Sequence, residues 1–405
     1  MALSLSAEKP SSSRDLLVHV CLMAMEREGA SSISARSIAR DAGVSVSSIY
    51  HFFDDMEQLF QATHDHALTQ ARRWCEDRLG DIAHDGPLPA RLGTLLAGLI
   101  DDWTFECRPL AFAWPECRLA AARNPLFRAR AAEWKSLWEA FWSEVCDKCG
   151  AAGQGSITTR FFEGESFFHL LRWRRQLDRA ALAETCAAWE GWLRGELSLP
   201  TPWRDMARAE AGRELEPVPV RDAIVDRLSR AAGDLVVRHG PSRLTHRAVA
   251  SEAGMSLGSV SNKLRTRVDL LNAAFEELYR RHQGDSRGGS DMPLPQCPRQ
   301  LAEMMAHALF DVDELRLGRD ELLIATARDP AFRSFGAQLR YMRGRTGRAT
   351  LAAAVDAPIS DTDAAIFSSF LMGVLAAHAS HEEIGQRLSG ANADINRLFD
   401  TLRSR

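Results

Sequence analysis

No apolar run in the 405 residues approaches the ~18–20 consecutive positions a membrane-spanning helix needs, and Met1 to Pro10 show no basic start followed by an apolar block. A soluble, cytoplasmic chain with no membrane partner is the expectation. Excess positive charge is missing too: a formal net charge of −4 excludes a generally basic coat for nucleic acid, so any contact with phosphate has to be local. Eight cysteines do not make a disulfide framework here, because intracellular thiols are kept reduced and a large core needs no covalent staples. The sequence lacks sustained period-two runs of β-branched residues, the signature of strands. It also lacks a nucleophile elbow, a phosphate loop and a metal signature, so no catalytic residue, cofactor or metal is assigned and no enzyme is expected. His51, Asp147 and Cys149 form a nucleophile set only on paper. Cys146 and Cys149 are a lone CxxC pair without a second ligand pair, which leaves a thiol switch or free buried cysteines.

What is present is ordinary globular composition, 45% hydrophobic and 26% charged, in a chain too long for one compact core. An internal repeat divides it. Gly29 to Ser45 match Gly240 to Ser256 at a constant offset of 211 without a gap. The match extends upstream, where Leu17, Val20, Cys21 and Ala24 meet Leu228, Ala231, Ala232 and Leu235, and downstream, where Val46, Ile49 and Phe53 meet Leu257, Val260 and Leu264. Arg123-Asn124-Pro125 and Arg328-Asp329-Pro330 repeat at an offset of 205. Two collinear matches indicate a duplicated unit of about 200 residues. Apolar residues recur at three and four throughout, as in Leu92-Leu95-Leu96-Leu99, so the expected fold is all-α. The expected division is a head at 1–60, a body at 61–198, a linker at 199–219, a second head at 220–271 and a second body at 272–405. Gly284 to Pro298, rich in glycine and proline, is expected to be a connector without regular helix.

Each repeat opens with helix, break, helix, tight turn, helix. Ser34 and Thr245 stand where helix caps are wanted; Ile38, Ala39 and Ala42, and their counterparts Val249, Ala250 and Ala253, form an apolar stripe. Gly43 and Gly254 supply the positive φ of a sharp exit, and Ser45 and Ser256 cap the next helix. This is helix-turn-helix geometry. With Val46, Ile49 and Phe53 turned inward, Ser47, Ser48, Tyr50 and His51 point outward, short polar groups suited to base edges in a major groove.

At these residues, from Ser37 through Phe53 to Phe60 and again from Ala248 to Leu271, the sequence resembles the TetR family of bacterial transcriptional regulators, here in a tandem single-chain form. The resemblance implies a three-helix DNA-binding head on a larger helical body that binds ligand and associates through its last two helices. It also implies a junction between the sixth and seventh helices at the Arg-Asn-Pro and Arg-Asp-Pro segments. The DNA-facing candidates are Ser34, Arg36, Ser45, Ser47, Ser48, Tyr50 and His51 in the first head. In the second they are Thr245, Arg247, Ser256, Ser259, Ser261, Asn262, Lys263 and Arg267. The family's phosphate-contacting lysine at the start of the fourth helix is Met56 in one copy and Arg267 in the other, and the aromatic at Tyr50 is replaced by Ser261. Ser12 to Phe60 carry four arginines against seven carboxylates, whereas Pro219 to Gln283 carry eleven basic residues against seven acidic ones. The second head is therefore expected to supply the larger electrostatic share of binding.

All ten tryptophans lie between Trp74 and Trp203. A body so different from its sister is not expected to bind the same molecule, and flat side chains suit an apolar or aromatic effector. Trp103, Trp114, Trp138 and His169 are the ligand-binding candidates; core packing and a satisfied buried imidazole are the competing roles for the tryptophans and for His169. Helices near Thr158 to Trp173 and Arg179 to Leu197 are expected to pair with one near Asp361 to His378 in a bundle between the bodies, giving an intramolecular pseudo-dimer. A conventional dimer of whole chains is the other assembly. The functional expectation is a ligand-responsive repressor on double-stranded DNA. The alternative is a small-molecule-binding or interaction module whose heads no longer read DNA.

Overall fold

The computed structural model describes residues 12–82, 92–214, 222–287, 295, 297–310 and 313–404. The fold is all-α, with no strand among the described residues. The first three helices, α1 (Ser13–Glu28), α2 (Ala35–Ala42) and α3 (Val46–Phe52), enclose a small core of Leu17, Cys21, Met25, Ile38, Ile49 and Phe53. Six helices follow: α4 (Met56–Ile82), α5 (Leu92–Phe105), α6 (Arg108–Arg123), α7 (Arg128–Lys148), α8 (Gly155–His169) and α9 (Arg175–Leu193). After α10 (Pro202–Arg213) the three-helix arrangement recurs as α11 (Ala223–His239), α12 (His246–Ala253) and α13 (Leu257–Lys263). The chain ends in α14 (Arg267–Arg287), α15 (Pro298–Phe310), α16 (Asp313–Arg328), α17 (Arg333–Tyr341), α18 (Arg348–Val355), α19 (Asp361–His378) and α20 (Ile384–Arg403).

Two connecting stretches carry helix. The 199–219 linker holds α10, because Ala207 and Ala211 bury themselves against Ala181, Ala337 and Tyr341; 215–219 lie outside the described residues. Gly284 to Arg287 continue α14 rather than breaking it, and Pro298 opens α15 at the first-turn position that tolerates proline; 288–294 and 296 lie outside the described residues. The repeated Arg-Asn-Pro and Arg-Asp-Pro segments do form equivalent junctions. Asn124 and Asp329 each accept a hydrogen bond from the backbone N–H two residues on, opening the short turns that join α6 to α7 and α16 to α17.

The halves pack through contacts that recur with the partners exchanged. Helix α8 crosses α19 so closely that a Cβ on Gly164 would overlap the Ser369 carbonyl oxygen, and one on Gly373 would overlap that of Arg160. Gly164 and Gly373, like Arg160 and Ser369, are related by the same offset of 209. The sixth helices behave alike: Arg123 on α6 pairs with Glu321 on α16, and Arg328 on α16 with Glu116 on α6, at an offset of 205. Contacts in which i meets j′ and j meets i′ are what a two-fold arrangement produces.

Most of the tryptophans fill the first body. Trp103, Trp134, Trp138 and Trp142 are buried: Trp103 meets Trp134 and Trp138 edge-to-face, Trp134 stacks on Trp138, and Phe162 joins Trp138 to Trp142, while Trp203 is exposed. Trp192 donates across the halves to Asp363 at 2.8 Å.

Candidate nucleic-acid interface

Both heads are built by the same local chemistry. Ser34 accepts from the Ser37 N–H at 3.2 Å and Thr245 from the Ala248 N–H at 3.1 Å, each satisfying a first-turn donor that would otherwise be orphaned. Gly43 at φ 67° and Gly254 at φ 60° turn the chain through the left-handed region at the ends of α2 and α12. Ser45 and Ser256 then cap α3 and α13, accepting from Ser48 and Ser259 at 3.2 and 3.1 Å. Even the brace between first and second helices repeats: Arg27 pairs with Asp41 and Arg238 with Glu252, at the offset of 211.

On α3, Ser47, Tyr50 and His51 are exposed and Ser48 is half-buried beneath the cap, its hydroxyl 2.9 Å from that of Ser45. Ser45 and Ser34 are themselves exposed, and Arg36 stands exposed in the first turn of α2. In the second head Thr245, Arg247, Ser256, Ser261, Asn262, Lys263 and Arg267 are exposed and Ser259 is half-buried. Each set lies on its own helix-turn-helix, except Arg267, which opens α14. Val46 does not turn inward: it and its counterpart Leu257 are 38% and 48% exposed, because the first turn of each third helix projects past the core closed by Ile49 and Val260. Both heads thus present an apolar group beside their serines, a type of contact that reads a thymine methyl.

Charge separates the heads. In the first, Arg27 and Arg40, though exposed, are tied to Asp41, Arg14 lies over the Phe53 ring, and Met56 packs on the core; Arg36 is exposed in the first turn of α2. In the second, Arg243, Arg247, Arg265 and Arg267 are exposed, while Lys263 is drawn to Asp222, the residue that caps α11.

Of the ligand-binding candidates, Trp103 and Trp114 meet at one narrow cavity between α5, α6, α8 and α19, with Arg118, Glu163 and Ser166. At about 20 Å³ it has room for roughly one water. Trp138 packs beside it without lining it, and His169 lies elsewhere. His169 sits in a cross-half cluster, with Nδ1 at Arg340 and Nε2 3.3 Å from Asp101, and burial with the neighbouring Arg340 pushes it down to about 4. Glu163 is pushed up to about 7 by burial, against the pull of Arg160 and Arg118, and neither of its oxygens finds a hydrogen-bond partner among the described residues. Sequence reasoning missed Glu163 and Arg118, since only helix packing brings positions 118 and 163 to one wall. Cys146 and Cys149 are buried free thiols; burial pushes Cys146 up to about 11, away from the reactive thiolate.

Residues 17–63 match the family of bacterial regulatory proteins named tetR. The HTH-type transcriptional regulators BetI of Pseudomonas paraeruginosa (strain PA7) and of Pseudomonas aeruginosa (strains LESB58 and UCBPP-PA14) are each 35% identical to this chain over 89 residues. The aligned part is 22% of this chain and 45% of each relative, so the chain spans less than half the length of the curated relatives it matches.

Proposed function

We propose, with the TetR-family N-terminal domain at residues 17–63 as premise, that this chain is a sequence-specific regulator of transcription that binds double-stranded DNA through two unlike heads. The observation that carries this reading is the repetition, at one offset, of cap, left-handed glycine and exposed third helix in two heads mounted on bodies with reciprocal contacts. A protein that reads DNA with paired helices ordinarily obtains the second from a partner subunit. Here the second is covalently supplied, and the α8–α19 crossing takes the place of a subunit interface: the chain is its own pseudo-dimer. Repression is the expected sign of control, in the cytoplasm, with an effector acting by its differential affinity for two dispositions of the heads. The tryptophan-walled cavity is one place for an apolar effector, which would have to widen it.

Selection of bound sequences from a random DNA pool, followed by gel shift of the winners, tests the reading. A selective shift that Lys263→Ala plus Arg267→Ala weakens supports it. Absence of any selective shift at low salt replaces it with the alternative, a small-molecule-binding or interaction module on degenerate heads.

A further inference from the structure

A second, open cleft of about 160 Å³ lies where the end of α8 meets the turn between α16 and α17 of the other half. Four guanidinium-bearing residues line it, Arg108, Arg172, Arg328 and Arg333, against one carboxylate, Asp329, whose Oδ1 is engaged by the Ala331 N–H. Arg108, Arg172 and Arg328 are held in place. Arg108 donates to the carbonyls of Leu170 and, across the halves, Ala327; Arg172 donates to those of Thr104 and Phe105 at the end of α5. Arg108 and Arg328 both stack on the Phe112 ring, at 4.7 and 5.0 Å from its centre. Like charges so close are unfavourable to one another. Burial, together with Arg172 and Arg328, pushes Arg108 down to about 10.

The duplicated corner is not equivalent. Helices α6 and α16 align over 16 positions each, and the counterpart of Arg108 is Asp313. Arg172 corresponds to His381, and Arg333 to Arg128, which is already paired with Glu382. Four arginines converge at one corner of the pair.

We infer that this cleft binds a small, multiply charged oxyanion, a polycarboxylate or a phosphorylated metabolite, held by charge-assisted hydrogen bonds from Arg108, Arg172, Arg328 and Arg333. Its wall is also the mount of the first head. Arg328 Nε donates to the carbonyls of Met25 and Glu26 at the end of α1, at 3.2 and 3.0 Å, while its Nη2 pairs with Glu116; Arg108 pairs with Glu26 at 3.1 Å. An oxyanion in the cleft competes with Glu26 and Glu116 for these guanidiniums, so its occupancy is transmitted to α1. That last clause rests on the DNA-reading function; binding itself does not.

Isothermal titration calorimetry of the full chain with citrate, and separately with inorganic pyrophosphate, at ionic strength matched with chloride, tests the site. Saturable binding by either anion at or below about 1 mM is expected, and the anion that binds tells carboxylate from phosphate. Arg172→Gln plus Arg333→Gln weakens it at least about tenfold by removing two charge-assisted bonds. Arg333→Gln alone, at an exposed position, gives the same direction should the double variant fail to fold. No saturable heat in the parent, or undiminished binding in these variants, overturns the site. Saturating anion is expected to change DNA affinity at least about fivefold; unchanged affinity with a proven site overturns the coupling. A chain that binds anion and no DNA at all removes the functional reading and leaves the cleft standing.

Discussion

His64 lies on α4 with its ring against Phe127, centroids 5.5 Å apart, and is 1% exposed. Burial, helped by Arg130, pushes it from the ordinary 6.5 down to about 4. Between those values the unfolded chain holds the proton and the native chain does not, so stability is complete above pH 6.5 and falls as pH drops toward 4. The loss attributable to this one imidazole is on the order of 3 kcal/mol. His64→Leu is expected to flatten the pH dependence of the unfolding free energy in that window; a slope as steep as the parent's removes the assignment. Neighbouring side chains show what a sequence exposes at this scale. The caps Ser34, Ser45, Thr245 and Ser256 are legible because donor and acceptor lie within three residues of one another. The meeting of Glu163 with Arg118 and the Arg328 contact to α1 are not, since those groups lie 45 and about 300 residues apart and are brought together by packing.

At the scale of elements, α8 and α19 are helices whose meeting depends on two glycines. Overpacking of a close crossing costs about 1–3 kcal/mol and occasionally more. Gly164→Ala and Gly373→Ala are each expected to reach about 3 kcal/mol in denaturant unfolding, because the new methyl meets a backbone carbonyl that cannot move aside. Gly98→Ala on α5, exposed and with nothing within 4 Å of the added Cβ, serves as the control and is expected to stabilise by about 0.5–1 kcal/mol. Equal effects at the three sites would dismiss the crossing as the reason for the glycines. Apolar spacing places helix α19 at its observed ends, Asp361–His378, and α8 and α9 within a few residues of theirs. The close approach itself is invisible in the sequence, for a glycine in a helical pattern reads only as a weak point. The cations beside the third helices, Arg36 on α2 and Arg265 and Arg267 at the start of α14, add a charge argument: removing one phosphate-neutralising cation lowers the slope of log affinity against log salt by about 0.9. Arg265→Ala plus Arg267→Ala, both exposed, is expected to reduce that slope by up to about 2, and Arg36→Ala by up to about 1. A larger reduction from Arg36→Ala would reverse the assignment of the electrostatic share to the second head.

For the whole molecule, the pairing of two similar halves has consequences that neither half has alone. The stripes on α8 and α19 that would serve as a subunit interface are buried against each other within one chain, so light scattering at micromolar concentration is expected to give a mass near 44.9 kDa. A mass near twice that value would mean that another face pairs the chains. On the proposed function, the same covalent pairing frees the two heads to differ. In a homodimer both third helices are identical and the operator mirrors the two-fold axis. Here α3 offers Val46, Ser47, Tyr50 and His51 where α13 offers Leu257, Gly258, Ser261 and Asn262, so the base edges each can satisfy are different. Sequences selected from a random pool are therefore expected to hold two unlike half-sites, and the flank read by α13 should change when Asn262 is replaced by His, its counterpart in α3, while the other flank stays as it was. An inverted repeat that survives Asn262→His unaltered would show that one head does the reading and the other is carried along.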